Sequence, residues 1–198
     1  MEHINVNLPR NVWEILKQLN KAGHEAYIVG GCVRDLIMNR VPNDWDITTS
    51  ATPEKVKKVF PKTYDTGLEH GTVTVRIKKE TYEVTTYRTE GKYEDHRRPK
   101  EVEFVEDITL DLSRRDFTMN AIAYHPKEGF IDPYLGVNDI KAKTIKAVGN
   151  PKERFEEDAL RILRGARFSA QLGFEIEQKT LESMIEKSNL LDCISKER

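Results

Sequence analysis

The spacing of hydrophobic positions changes several times along the chain, and each change predicts an element. After Pro9, Val12, Ile15, Leu16 and Leu19 recur at helical spacing, which predicts an amphipathic helix over residues 9–22. "EAYIV" is a short apolar run that predicts a buried strand, and it ends at Gly30 and Gly31. "CVRDLIMNR" reads as a helix leaving that turn, and "WDITTS" as a strand. In "TPEKVKKVF", Thr52 stands as N-cap, Pro53 at the first helical position and Glu54 in the first turn, so a helix starts there. "GTVTVRIKKETYEVTTYR" alternates on both sides of a polar turn near Lys79 and Glu80, the pattern of a hairpin. "TEGKYEDHRRPKE" is charged and broken by Gly91 and Pro99, so a mobile loop is expected, with "VEFV" as a further strand. "TLDLSRRDFTMNAIAYH" reads as a helix running into a strand at residues 121–125. "GFIDPYLGVNDIKAKTIKAV" reads as turns and short strands.

The pattern changes at Asn150 and Pro151. Beyond them, "ERFEEDALRILRGARFSAQLGF" and "EQKTLESMIEKSNLL" are helical, with almost no strand signal. The expectation is an α+β head over residues 1–150 and a helical segment over 151–198. That helical pattern looks ready to continue past Arg198, so the chain is expected to be a fragment.

Composition narrows the function classes. The 198 residues are 33% charged with a net charge of −1, so any nucleic-acid contact must use a local patch. One candidate patch is "HRRPK" at residues 96–100; the other is Arg161, Arg164 and Arg167. No stretch approaches the roughly 18 apolar residues of a membrane span, and the N-terminus lacks a signal-peptide run. Cys32 and Cys193 lie far apart and the five histidines are scattered, so zinc or histidine metal clusters are not indicated. A reducing, cytoplasmic location without an obligate protein partner is expected.

Asp44 and Asp46 flank Trp45 in the predicted strand. On one strand face their Cα atoms would lie about 6.6–6.8 Å apart, with Trp45 turned into the core. Two carboxylates so placed can converge on hard cations. Glu83, in the second hairpin arm, is a candidate third carboxylate. A D-x-D pair alone is more commonly a solvated turn. The glycines alter that balance, because at a strand-to-helix turn they let a phosphate approach backbone N–H groups. Together these features point to phosphoryl chemistry on a nucleoside triphosphate.

"GGCVRD", "DWDI", "RRDFTMNA", "DPYLGVNDI" and "EEDALRILRGARF" occur in that order. The set resembles class II CCA-adding enzymes (tRNA nucleotidyltransferases) and the related bacterial poly(A) polymerases, of the polymerase-β-type nucleotidyltransferase superfamily. The resemblance covers about residues 20–175. It implies a head with a mixed or antiparallel sheet and flanking helices, followed by an all-α neck. It implies that Asp44 and Asp46 are catalytic ligands of two Mg²⁺ ions, with Glu83 as third catalytic carboxylate. It implies triphosphate contacts from Gly31 and Arg34, a nucleotide contact from Arg115 and a ribose contact from Asp116. It also implies that Asp158, Arg161, Arg164 and Arg167 form a nucleotide-binding helix face.

Asp158 and Arg161, three apart, would share a helix face, and on spacing alone a salt-bridge ladder with Glu157 is the simpler reading. Under the resemblance, the pair would read the exocyclic amines of cytosine and adenine. The substrates implied are CTP, ATP and the tRNA 3′ end, with pyrophosphate released. Two other readings stand beside this: a poly(A) or A-adding enzyme on the same head, and a non-catalytic nucleotide- or RNA-binding module.

Overall fold

A computed structural model describes residues 7–91, 93, 94, 96, 98, 99 and 101–194. Helix α1 (Arg10–Lys21) buries Val12, Ile15, Leu16 and Leu19 completely, the four positions of the apolar stripe. Each such burial contributes about 1.5–3 kcal/mol. It is followed by β1 (Ala26–Val29), α2 (Gly31–Ile37) and β2 (Asp46–Thr49). Next come α3 (Pro53–Val59), β3 (Thr63–Gly67), β4 (Thr72–Ile77) and β5 (Glu80–Thr86). Thr52 occupies the N-cap of α3 with extended backbone, although its hydroxyl makes no capping hydrogen bond.

The segment expected to be a mobile loop is instead paired β structure among its described residues. Strand β6 (Arg88–Glu90) pairs antiparallel with β9 (Val102–Phe104). Between them β7 (Tyr93–Glu94) pairs with β8 (Arg98–Pro99). Polar composition did not exclude a ribbon, because backbone pairing needs no apolar face. Of the basic patch at residues 96–100, Arg97 and Lys100 lie outside the described residues. Helix α4 (Ile108–Ser113) stops short of Arg115 and Asp116, and a 3₁₀ turn over Thr118–Asn120 leads into β10 (Ala123–His125). Strand β11 (Gly129–Ile131), α5 (Gly136–Lys141) and β12 (Thr144–Ile145) follow. Helix α5 was not anticipated; the Asp132 carboxylate accepts from Gly136 N and Val137 N and so starts it.

The strand order is β11-β10-β1-β2-β5-β4-β3, antiparallel throughout except for the β2–β5 pair. This is the α+β, mixed-sheet architecture expected. Strand β1 is buried on both faces. Ala26 and Ile28 join the larger core under α1 and α3, while Tyr27 and Val29 join Tyr87, Ile108 and Leu112 on the α4 side. Towards β5, β4 and β3 the α4 side of the sheet opens to solvent.

Residues 151–194 form α6 (Pro151–Glu157), α7 (Leu160–Leu172), β13 (Glu175–Ile176) and α8 (Gln178–Glu186). The single helix expected across Asp158 is two. Asp158 adopts an extended backbone (φ −136°, ψ 102°), and its carboxylate accepts from Leu160 N at 3.0 Å. The Ala159 N–H is taken by the His96 carbonyl at 2.9 Å. Aspartate competes well for nearby N–H groups, and here that competition ends one helix and starts the next. A strand is also present: β13 runs parallel to β12. Phe155, Ile162, Phe168, Phe174 and Met184 belong to the same hydrophobic cluster as α1 and the sheet. Among the described residues, no helix is long and apolar enough to cross a membrane.

Candidate active site

Strand β1 ends at Gly30, whose φ of +80° and ψ of −131° suit glycine, and Gly31 opens α2. A Cβ on Gly30 would lie 3.0 Å from Arg115 Nη1, whereas one on Gly31 would meet only Arg34 Nη2, at 3.8 Å. The turn therefore packs the chain against one arginine and leaves the next residue open to the cleft. Gly30→Ala is expected to cost about 1–3 kcal/mol of stability through backbone strain. Gly31→Ala is expected to melt like the parent and yet bind nucleoside triphosphate more weakly, because its methyl occupies the cleft. Thermal melts beside CTP titrations check both; a Gly31 variant with unchanged affinity would remove that residue from the site.

The cleft measures ≈1330 Å³, and its lining includes Gly30, Gly31, Asp44, Asp46 and several arginines. Strand β2 begins at Asp46, so Asp44 sits in the bend before it and not in the strand. Pro42 and Asn43 stand just before the pair, and proline restricts strand pairing there. Both carboxylates still line the same cleft, and Trp45 packs partly buried against the core. Parallel pairing sets Glu83 of β5 directly beside Asp46. Adjacent strands put those Cα atoms about 4.8 Å apart. Glu83 lines a smaller hollow of ≈610 Å³ that shares Asp44 and Asp46 with the cleft.

Burial at the cleft floor raises the Asp46 pKa; Arg115 opposes the shift and Asp44 adds to it. An acid held unfavourably beside a second acid is a fit for a divalent cation. Among the described residues no three acids, histidines or cysteines form a metal cage by themselves. Mg²⁺ does not need one, since it takes one or two carboxylates and fills its other positions with water and phosphate oxygens.

The cleft also carries a cationic wall. Arg34, buried, donates to Asn120 Oδ1 at 2.9 Å and to Asp35 Oδ1 at 2.7 Å. Arg164 Nε donates to Asp116 Oδ2 at 2.6 Å. The Asp116 Oδ1 atom accepts from Phe117 N and Asn120 Nδ2. The guanidinium carbons of Arg34, Arg164 and Arg167 lie 5.4, 5.2 and 5.1 Å from the centre of the Phe168 ring. Three like charges around one ring, with Asp35 and Asp116 as their only ion-pair partners among the described residues, leave a field that attracts an anion. The Arg115 Nε is buried without a hydrogen-bond partner.

The arginines of α7 do not form one exposed stripe. A step of three residues lags the helix turn by about 60°, so the three positions wind around the axis. Arg161 is buried, Arg164 half-buried and Arg167 exposed. Arg161 donates to Glu157 Oε2 (2.7 Å), Arg114 O (2.8 Å), Arg154 O (3.2 Å) and Tyr93 Oη (3.2 Å). The Glu157 pair expected from sequence is therefore present, although it spans two helices. Asp158 is also at the cleft, brought there by the chain break instead of a shared helix face.

Two cleft features escaped the sequence reading. Asp111 is fully buried and holds Arg114, at 2.8 Å, and Arg115, at 3.2 Å. Its spacing of three and four from those arginines on a helix was the available signal. Glu90 of β6 and Tyr93 of β7 bond each other and tie these ribbons to Arg114 and Arg161.

Comparison with known proteins is decisive. A model of the poly A polymerase head domain matches residues 26–146. The chain belongs to this family. It is 55% identical to a CCA-adding enzyme of Listeria monocytogenes over 184 residues, covering 93% of this chain and 47% of that protein. It is 52% identical to one of Enterococcus faecalis, covering 93% and 45%. It superposes on the crystal structure of the Bacillus stearothermophilus CCA-adding enzyme in complex with CTP with a TM-score of 0.88 and 44% identity, covering 96% of this chain and 46% of that one. A tRNA nucleotidyltransferase complexed with a primer tRNA and an incoming ATP analog superposes with a TM-score of 0.71 and 29% identity, covering 89% and 50%. The chain spans about half the length of the curated relatives it matches.

Proposed function

We propose that this chain carries the nucleotidyl-transfer centre of a CCA-adding enzyme. The tRNA 3′-hydroxyl attacks the α-phosphate of CTP or ATP, a new P–O bond forms, and pyrophosphate leaves. The observation that carries this reading is the cleft itself, with Asp44 and Asp46 facing Arg34, Arg115, Arg164 and Arg167. Arginines bind phosphate oxygens through paired donors, which suits a triphosphate. Asp44 and Asp46 would hold Mg²⁺, two ions in this reading, with Glu83 beside Asp46. The bound ions would neutralise charge on the transferring phosphate. Gly31 leaves room for the phosphates, and Asp116 is the ribose contact, held in place by Arg164 and Asn120.

Asp158 and Arg161 are the residues assigned to base choice. A carboxylate accepts from the amines of cytosine and adenine, and uracil and guanine offer carbonyls at those positions. Asp158→Ala is expected to relax discrimination against UTP and GTP while changing CTP affinity little. Unchanged discrimination, measured as relative incorporation of the four triphosphates, would sink the assignment. Residues 1–150 are taken as the head and 151–198 as the start of a neck, in line with the family match ending at residue 146. A cytoplasmic location belongs to the same reading.

A second reading, poly(A) or A-only addition, is favoured by the family description. One experiment separates the two. The chain is incubated with Mg²⁺, each labelled triphosphate and a tRNA lacking its last three nucleotides, and the products are sequenced. Addition of C, C and A supports the proposal, A alone supports the second reading, and no pyrophosphate release overturns both.

A further inference from the structure

One face of the sheet carries a row of polar side chains from the catalytic acids to the sheet edge. Cross-strand register aligns Asp46 with Glu83, Glu83 with Thr74, and Thr74 with Tyr64. Thr72, Thr81, Thr85 and Arg76 share this face, since side chains two apart on a strand point the same way. The opposite face carries Val73, Val75, Tyr82 and Val84, all in the core. Along the row, Thr74 Oγ1 bonds Thr66 Oγ1 at 2.7 Å, and Arg76 Nη1 donates to Tyr64 Oη at 3.1 Å. Tyr64 is 46% exposed, large for an aromatic ring on a sheet. Glu83 to Tyr64 spans two strand spacings, roughly 10 Å.

We propose that this open face of β3, β4 and β5 is the track for the single-stranded 3′ end of the RNA primer. In this assignment Tyr64 stacks on a base and Arg76 contacts a backbone phosphate. The inference rests on the nucleotidyl-transfer reading above. In-line displacement requires the attacking hydroxyl to approach the α-phosphate from the side opposite the leaving pyrophosphate. The arginines take the triphosphate on one side of Asp46, so the hydroxyl arrives on the Glu83 side. Two surfaces continue from there. The lining of the ≈610 Å³ hollow carries Asp44, Asp46, Glu80 and Glu83 and, among the described residues, no basic residue, so it repels a phosphate backbone. The other surface is the row beyond Thr81, where Thr72, Thr74 and Thr85 offer hydroxyls to 2′-OH groups beside the exposed Tyr64 ring and the Arg76 guanidinium. Ring stacking with a nearby cation is how sequence-tolerant proteins hold single strands.

The test uses the 198-residue chain and a hairpin RNA with a single-stranded 3′ end that carries 4-thiouridine. Binding is read by anisotropy at low salt, and photo-crosslinks are mapped by mass spectrometry. Crosslinks are expected within residues 63–76. Tyr64→Ala and Arg76→Ala are each expected to weaken RNA binding five-fold or more, with CTP binding unchanged and Tyr64→Phe close to the parent. Wild-type affinity in both alanine variants overturns the proposal. So do crosslinks that all fall elsewhere, or an RNA that the parent chain does not bind. A parent chain that crosslinks at residues 63–76 yet incorporates no nucleotide overturns the transfer reading and leaves the track standing.

Discussion

Asp46→Asn is expected to abolish nucleotide incorporation and, in the absence of divalent ions, to raise the melting temperature. The two effects share one cause. Burial first, and Asp44 second, push the Asp46 carboxyl above its ordinary range, with Arg115 opposing. A raised carboxyl pKa means that the folded state holds the proton more tightly than the unfolded chain. Its contribution to stability is complete below the unfolded carboxylate range and is lost as pH rises through the folded pKa. At neutral pH the ionised group is therefore a cost, and an amide removes it. Incorporation should fall by at least about 100-fold, the scale of one lost electrostatic contact to a reacting group. Mg²⁺ should raise the melting temperature of the parent, since a ligand that binds only the folded state stabilises it, and should leave Asp46→Asn unmoved. Equal Mg²⁺ stabilisation of both proteins, or near-normal incorporation by the variant, would contradict the assignment of Asp46.

The largest loss of stability from a polar change is expected at Asp111. Its carboxylate is fully buried and accepts from Arg114 Nη2 at 2.8 Å, Arg115 Nη2 at 3.2 Å and Arg88 N at 3.3 Å. Burial acts to raise its pKa, but Arg115 and Arg114 prevail and hold it below the usual carboxylate range. Asp111→Ala removes the carboxylate partner of Arg115 and leaves Arg114 with Glu90 alone among the described residues, and should cost about 3–5 kcal/mol. For a chain of this size that lowers the melting temperature by on the order of 10 °C. A depressed carboxylate pKa stabilises the fold above the unfolded value, and the contribution disappears as pH falls through the folded one. The gap between variant and parent should therefore narrow below about pH 4. Glu90, also held below its usual range against burial by Arg114, Tyr93 and Arg88, adds to that acid sensitivity. A loss under 1 kcal/mol, or a gap that widens in acid, would refute this account of the network.

Much of the architecture was legible because its causes are local. The α1 stripe, the glycine turn and the β4–β5 hairpin each depend on residues close in sequence, and each lies where the periodicity placed it. The features that were not legible depend on distant partners. The break at Asp158 needs the His96 carbonyl to take the Ala159 N–H, and no window around residue 158 contains it. The β6–β9 ribbon looked like a loop because its partners are charged residues from α4 and α7 and not an apolar face. Asp44 and Asp46 were found by their spacing, yet the strand starts at Asp46, two residues later than the face argument required. The carboxylates line the same cleft all the same.

The choice of cation in the cleft has a chemical consequence. Its described arginines are Arg34, Arg88, Arg114, Arg115, Arg161, Arg164 and Arg167, and no lysine is among the described residues that line it. Guanidinium groups stay protonated throughout the range in which proteins fold, whereas lysine amines are open to acylation. Reagents or cellular metabolites that acetylate lysines can thus discharge much of this protein's surface, and the described arginine wall of the cleft would keep every one of its charges.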